Sequence, residues 1–122
     1  MKTHWPEHAT PSQRAATDEL LRRLRAEYAG RILFTALFGS VARGDASPES
    51  DIDVLVVTDE ADSELKRDIW RTGSRVSLEF DVVFNLHVIS RAHFSFLREK
   101  QRTLWRNIEQ DGIALAPEPV PA

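Results

Sequence analysis

The chain has 122 residues, of which 42% are hydrophobic and 29% charged, a composition typical of one soluble globular domain with a substantial core. It contains no cysteine, which excludes disulfides and thiolate metal sites, and no apolar run approaches the roughly 20 residues of a membrane span, so we expect a cytoplasmic protein. The net charge of −3 conceals an acidic centre, because residues 45–64 carry acidic but no basic side chains, which disfavours direct binding of nucleic acid and suits divalent cations.

The first predicted elements are a helix and a buried strand. Residues 1–11 show no periodicity and are expected to be flexible. The pair Thr10-Pro11 starts a helix, because threonine caps a helix N-terminus and proline suits the first helical position. Apolar side chains at helical spacing continue this helix to Tyr28, and residues 31–38 then form a buried strand.

A tight turn, Gly39-Ser40, follows that strand and gives the first sign of chemistry. Glycine lets a phosphate approach the backbone closely, and Ser40 adds an N–H and a hydroxyl, which are the donors that a phosphate chain needs. A short helix is expected to begin near Ser40 and to end at Gly44, which permits a positive φ. Arg43 is a candidate contact for phosphate or substrate, although an exposed arginine after a short helix needs no function.

A pair of carboxylates opens the second strand, which is predicted over residues 51–58. Asp51 and Asp53 are two positions apart, so in a strand both side chains point to the same face. Two neighbouring carboxylates repel each other unless a cation neutralises them. A phosphate-binding turn and a carboxylate pair together predict a site for a metal-bound nucleoside triphosphate.

The rest of the chain alternates between helical and strand patterns. We expect a helix over residues 62–72, closed by Gly73, and a strand with one buried face over residues 75–86. A helical stretch over residues 91–108 follows, with room for a break into two helices. Residues 117–122 contain three prolines and are expected to form a disordered tail.

The two motifs resemble the signature of a known family. Gly39-Ser40, ten intervening residues and Asp51-x-Asp53 are similar to the pattern of the DNA polymerase β-type nucleotidyltransferase superfamily. Three stretches of the chain resemble the smallest branch of this superfamily, the minimal nucleotidyltransferases (MNT) of bacteria and archaea. These are Leu37–Gly44, Ser50–Asp53 and Asn107–Leu115.

The resemblance also carries an expected architecture. It covers residues 12–116, which would form a nucleotidyltransferase domain. The predicted order of elements favours the same fold class: an α/β, two-layer nucleotidyltransferase core with a small mixed β-sheet and helices packed mainly on one face.

The resemblance implies a role for each motif residue. Gly39 and Ser40 would bind the triphosphate of ATP, with Arg43 as a further candidate for nucleotide binding. Asp51 and Asp53 would be catalytic residues that hold Mg²⁺, which bridges the triphosphate and neutralises the leaving pyrophosphate.

The superfamily uses a third carboxylate on a neighbouring strand to complete the metal site and activate the attacking hydroxyl. Asp81 is the candidate for this catalytic and metal-binding position, because it falls on the polar side of the predicted strand 75–86. Glu79 shares that side and is the runner-up.

The expected acceptor is a protein. Larger members of the superfamily carry an additional domain for the acceptor, and the sequence after the third predicted strand leaves no room for one. The resemblance implies an antitoxin that transfers AMP from ATP to a tyrosine of a cognate HEPN-type ribonuclease toxin, bound in a hetero-oligomer. Two alternatives stay open: a non-catalytic module that inhibits a partner by covering it, and a transferase acting on a small molecule or nucleic acid.

Overall fold

The computed structural model describes residues 1–115, and within them five helices and four strands. Their order and bounds are α1 (Pro11–Glu27), β1 (Ile32–Phe38), α2 (Gly39–Arg43), β2 (Ile52–Thr58), α3 (Ser63–Phe80), β3 (Phe84–Ser90), α4 (Arg91–Glu99), α5 (Thr103–Asp111) and β4 (Ile113–Ala114). The predicted tail over residues 117–122 lies outside the described residues.

The strands form one mixed sheet in the order β3-β2-β1-β4. β1 is antiparallel to both β2 and β4, whereas β2 and β3 are parallel and are joined by the crossover helix α3. β1 and β2 are largely buried, which is expected for apolar strands in the centre of a sheet. These pairings bring the end of β1 and the starts of β2 and β3 together along one margin of the sheet.

Helices cover both faces of the sheet. On one face, α1 and α3 pack on alternate residues of β2, and the buried residues there include Leu20, Leu24, Ile52, Val54, Val56, Ile69 and Val76. On the other face, α4 and α5 pack on a second cluster, which includes Phe34, Ala36, Leu55, Val57, Phe94, Leu97 and Ile108. The predicted α/β class with a mixed sheet is confirmed; the two long helices share one face, and the shorter α4 and α5 occupy the opposite one.

Helix α1 begins where its cap residues predict. The N–H of Gln13 donates to Thr10 Oγ1 at 3.0 Å, and the N–H of Thr10 donates to Gln13 Oε1 at 2.9 Å, which together form a capping box. The preceding segment, expected to be flexible, is anchored to the sheet at Lys2. The Lys2 N–H donates to the carbonyl of Gly112 at 3.1 Å, and the Lys2 carbonyl accepts from the N–H of Ala114 at 2.7 Å.

The predicted strand over residues 75–86 is wrong in its first half. Helix α3 continues to Phe80, and β3 begins only at Phe84. Val76 is buried while Leu78 is 84% exposed, which fits helical geometry, since both would face the same way in a strand. Gly73 lies inside the helix because β3 packs closely there: a Cβ on Gly73 would stand 2.7 Å from Leu86 Cδ1.

The helical stretch after β3 breaks into two helices, as predicted. Gln101 lies between α4 and α5 and has a positive φ of 51°, which turns the chain. The resulting helices have nine residues each. Within residues 1–115 no helix combines the length and apolar character needed to cross a membrane.

Candidate active site

Three residues on adjacent strands form a row across one margin of the sheet. Phe38, the last residue of β1, pairs with Asp53 near the start of β2, and Asp53 pairs with Asn85 near the start of β3. Side chains alternate along a strand, so Asp53 shares its face with Leu55, which is buried beneath α4 and α5. Because Asp53 lies at the margin of that face, its side chain is only half-buried.

Gly39 lies directly against the carboxylate of Asp53. Its φ is +76°, a left-handed conformation that favours glycine. A Cβ at this position would stand 2.1 Å from Oδ2 of Asp53, a separation that two non-bonded heavy atoms cannot adopt. Both the backbone conformation and the space around it therefore require glycine at the point where β1 ends.

Helix α2 begins at Gly39 and brings Ser40 to the same margin. The helix spans Gly39–Arg43, and its N-cap residue, Phe38, provides no side-chain hydrogen bond to the first turn. The first N–H groups of a helix have no partner within the helix, so the turn offers donors to a bound anion. Gly44 ends the helix with a φ of +85°, as predicted from the sequence.

Asp51 and Asp53 present the two carboxylates on which the prediction of a metal site rests. Asp51 lies one residue before β2 and is exposed. Oδ1 of Asp53 accepts a hydrogen bond of 2.9 Å from Nδ2 of Asn85. The start of β2 is also tied to the segment before β3, since the N–H of Ile52 donates to the carbonyl of Val83 at 2.8 Å.

The donor set at this margin fits Mg²⁺. This ion prefers oxygen ligands and is usually held by one or two carboxylates together with water and substrate phosphates. Asp51 and Asp53 supply the two carboxylates, and Gly39, the first residue of α2, lies against the carboxylate of Asp53. Donors of this kind are those that hold a metal-bound triphosphate in other proteins.

Arg43 is engaged in ion pairs at the end of α2. Its Nε lies 3.2 Å from Oδ2 of Asp45, and its Nη1 lies 4.0 Å from Oδ2 of Asp111. A role for Arg43 in nucleotide binding stays a prediction, because these contacts tie it to α5 rather than to the carboxylate pair.

Asp81 does not lie on a strand beside the pair, and that expectation is wrong. It ends helix α3 in a left-handed conformation with φ 54° and ψ 48°, and its side chain is exposed. It lines a cavity of about 460 Å³ together with Ser50, the residue before Asp51. Among residues 1–115, no three histidine, cysteine or acidic side chains are gathered so that they could hold a metal ion.

Glu79, the runner-up, belongs to helix α3. Its carboxylate pairs with Arg23 of α1. Because α1 and α3 pack on the face opposite to Asp53, Glu79 serves the contact between these two helices. The physical reason for both corrections is the same: helix α3 extends to Phe80, through the segment predicted to be a strand.

Asn85 is the residue that the sequence prediction missed. It occupies the strand position that faces Asp53 and is hydrogen-bonded to it. A signal for it does exist, because Asn85 is the second residue of β3 as Asp53 is the second residue of β2. Using that signal requires knowing where β3 begins.

Known proteins have sequences similar to that of this chain. A family model described as a nucleotidyltransferase domain matches residues 17–111. Two proteins of Methanocaldococcus jannaschii, each named "Putative protein adenylyltransferase", are similar to the chain. One is 35% identical over 104 residues, which cover 85% of this chain and 98% of that protein. The other is 44% identical over 50 residues, which cover 40% of this chain and 50% of that protein.

Solved structures confirm the predicted fold class. A crystal structure of a toxin–antitoxin with AMP-PNP superimposes with a TM-score of 0.55 at 20% identity and covers 80% of this chain and 70% of that one. A complex of tri-AMPylated Shewanella oneidensis HEPN toxin with an MNT antitoxin gives a TM-score of 0.51 at 16% identity, covering 84% and 70%. The residues that the family model matches, 17–111, make up more than half of the sequence, and the chain therefore belongs to the nucleotidyltransferase domain family.

Proposed function

We propose that the protein is a Mg²⁺-dependent protein adenylyltransferase that uses ATP and acts as the antitoxin of a HEPN-type toxin. The acceptor is a hydroxyl of that toxin, on a tyrosine, and the two proteins form a hetero-oligomer. The observation that supports the proposal is the close approach of Gly39 to the Asp53 carboxylate, because this reaction needs a phosphate-binding turn next to a metal-binding carboxylate.

Similar proteins support the choice of substrate and acceptor. The M. jannaschii relative at 35% identity carries the name "Putative protein adenylyltransferase". One structure of the same fold is a toxin–antitoxin with AMP-PNP, and another contains an AMPylated HEPN toxin. We extend these properties to this chain as part of the proposal.

The residues of the site have separate roles in this reaction. The N–H groups of Gly39 and Ser40 bind the β- and γ-phosphates of ATP. Asp51 and Asp53 would hold Mg²⁺, which would neutralise charge on the triphosphate and on the leaving pyrophosphate. The acceptor oxygen forms a bond to the α-phosphorus while the bond from that phosphorus to the bridging oxygen breaks, and the electron pair leaves with pyrophosphate. The hydroxyl proton passes to solvent, which reaches the site because Asp51 and Asn85 are exposed.

A direct test is to mix the protein with the HEPN-type toxin that this proposal assigns to it, ATP and Mg²⁺, and to record the intact mass of the toxin. Mass increments of AMP are expected with the wild-type protein and should vanish in Asp51→Asn and Asp53→Asn, which keep the shape of the side chain but remove its charge. Asp18→Asn, on the exposed surface of α1, is the matched control and should retain transfer. Transfer that survives in both site variants would contradict the proposal.

Inhibition by binding alone is the second candidate function. It is favoured by the lack of a third carboxylate beside Asp51 and Asp53 among residues 1–115. The same mass measurement separates the two candidates. If the wild-type protein silences the toxin without adding mass to it, the enzyme proposal fails and inhibition by binding stands.

A further inference from the structure

We propose that Asn85 is a positioning residue of the active site, which holds the Asp53 carboxylate and fills the facing position on β3 with a neutral amide. The inference rests on the proposed function, because it concerns the same metal-binding pair. Asn85 is placed there by strand register and by a hydrogen bond to Asp53.

The Asp53 carboxylate is fixed from two sides. Nδ2 of Asn85 donates to Oδ1 at 2.9 Å, and the backbone of Gly39 lies against Oδ2. A carboxylate has about four lone-pair positions, so one bond from Asn85 leaves oxygen lone pairs for a cation. Asn85 therefore restricts the orientation of Asp53 without consuming its capacity to bind a metal.

The backbone around Asn85 is itself held by helix α3. β3 lies at the edge of the sheet and would otherwise be free on its outer side. The N–H of Phe84 donates to Oγ of Ser77 at 3.3 Å, and Nε1 of Trp70 donates to the carbonyl of Leu86 at 3.2 Å. Both residues next to Asn85 are thus fastened to one rigid helix, and this keeps the amide opposite Asp53.

The neutral amide also sets the charge of the site. With Asn85 in the facing position, Asp51 and Asp53 supply two negative charges, and the hydrogen bond adds none. A carboxylate in the same place would lose the N–H donor and add a third charge at hydrogen-bonding distance from Asp53, which is unfavourable without a cation. We expect the protein alone to bind Mg²⁺ weakly and to bind it well only with the nucleotide, whose phosphates supply further ligands.

Titration calorimetry with Mg²⁺, with and without AMP-PNP, tests this role without an acceptor protein. Asn85→Asp should tighten Mg²⁺ binding in the absence of nucleotide by about tenfold or more, because each added charge attracts the cation. Asn85→Ala should weaken Mg²⁺ binding in the presence of AMP-PNP by roughly 10- to 100-fold, as for other partners that orient a metal ligand. Asn85→Gln, which keeps the donor, should recover part of that loss.

Asn107→Ala is the matched control, since Asn107 is an exposed asparagine of α5. It should leave Mg²⁺ binding unchanged, and thermal unfolding should show that every variant is folded. Equal Mg²⁺ affinity in wild type, Asn85→Ala and Asn85→Asp would overturn the inference.

The AMP-transfer assay separates this inference from the proposed function. In that assay Asn85→Ala should lower kcat for transfer more than it raises the KM for ATP. If the Asn85 substitutions change Mg²⁺ affinity as expected but the wild-type protein adds no AMP, only the proposed function is refuted. Transfer that is present and indifferent to Asn85→Ala would refute only the role of Asn85.

Discussion

The α-carbon of Gly39 lies so close to the Asp53 carboxylate that no side chain fits between them. The first consequence is a sharp difference between two glycines that share a positive φ. Gly30 has a φ of +84°, and a Cβ added there would have nothing within 4 Å, whereas at Gly39 the same position is occupied by Asp53.

Gly39→Ala should therefore displace Asp53 and reduce AMP transfer by about 100-fold or more, the scale of loss that follows a misplacement of roughly 1 Å. Gly30→Ala is the control, and it should cost only about 1–2 kcal/mol for a left-handed alanine while leaving transfer intact. The measurements are initial rates of transfer and urea unfolding. Equal effects of the two substitutions on the rate of transfer would show that the contact between Gly39 and Asp53 is not required for transfer.

Asp81→Asn should retain both fold and transfer. Asp81 ends α3 in a left-handed conformation, which asparagine adopts readily, and the carboxylate makes no part of the row formed by Phe38, Asp53 and Asn85. The rate of transfer relative to wild type checks this expectation. A variant that folds normally but has lost transfer would return Asp81 to the site as its third carboxylate.

Glu19 should contribute to the acid sensitivity of the fold. Side-chain hydrogen bonds from Arg22 and Arg23 lower the pKa of the Glu19 carboxyl from 4.5 to about 2. The folded state therefore holds this proton less tightly than the unfolded chain does. Its stabilising contribution is complete above pH 4.5 and is lost as the pH falls towards 2.

Glu19→Gln should reduce the free energy of unfolding at pH 7 and converge with wild type near pH 2. Urea unfolding at several pH values measures the difference, and added salt should diminish it because the pairs are near the surface. Glu109→Gln, an exposed residue of α5, is the control. A gap between Glu19→Gln and wild type that stays constant down to pH 2 would show that the arginine pairs do not cause it.

Thr10→Ala should lower the free energy of unfolding by about 1 kcal/mol, because it removes the hydroxyl that accepts a hydrogen bond from the N–H of Gln13 in the capping box of α1. Thr10→Ser, which keeps the hydroxyl, is the matched variant and should remain close to wild type. Thermal or urea unfolding gives the comparison. Transfer should be unchanged in both, since Thr10 makes its cap bonds with Gln13 rather than with the aspartate pair.

Local patterns are sufficient to predict much of the fold and the positions of the two motifs in it. The cap at Thr10, the apolar strands β1 and β2, and the Gly39-Ser40 turn are properties of short segments, and each lies where its pattern predicts. Asp53 lies in β2 as predicted, whereas Asp51 immediately precedes the strand. The helical structure of the segment from Val76 to Phe80 cannot be predicted from a local pattern, because its apolar spacing fits a strand as well as a helix. In the structure, Gly73 of the same helix packs on Leu86 of β3, and a local pattern does not reveal this contact between distant parts of the chain.

The partner of Asp53 is hidden from the sequence for a related reason. Asn85 is 32 residues away along the chain, and its position depends on the register between β2 and β3. When the start of β3 is misplaced, Asp81 is predicted to lie opposite the aspartate pair, whereas in the structure Asn85 lies opposite Asp53.

The two-sided support of Asp53 by Gly39 and Asn85 has a consequence for catalysis. Water around a flexible carboxylate must rearrange each time charge develops during a reaction, and that rearrangement adds to the barrier. Here contacts with Asn85 and Gly39 orient the Asp53 carboxylate in the folded protein, before any nucleotide binds. If the protein has the proposed function, an Asp53 carboxylate held in this way before the nucleotide binds would need little rearrangement in each turnover.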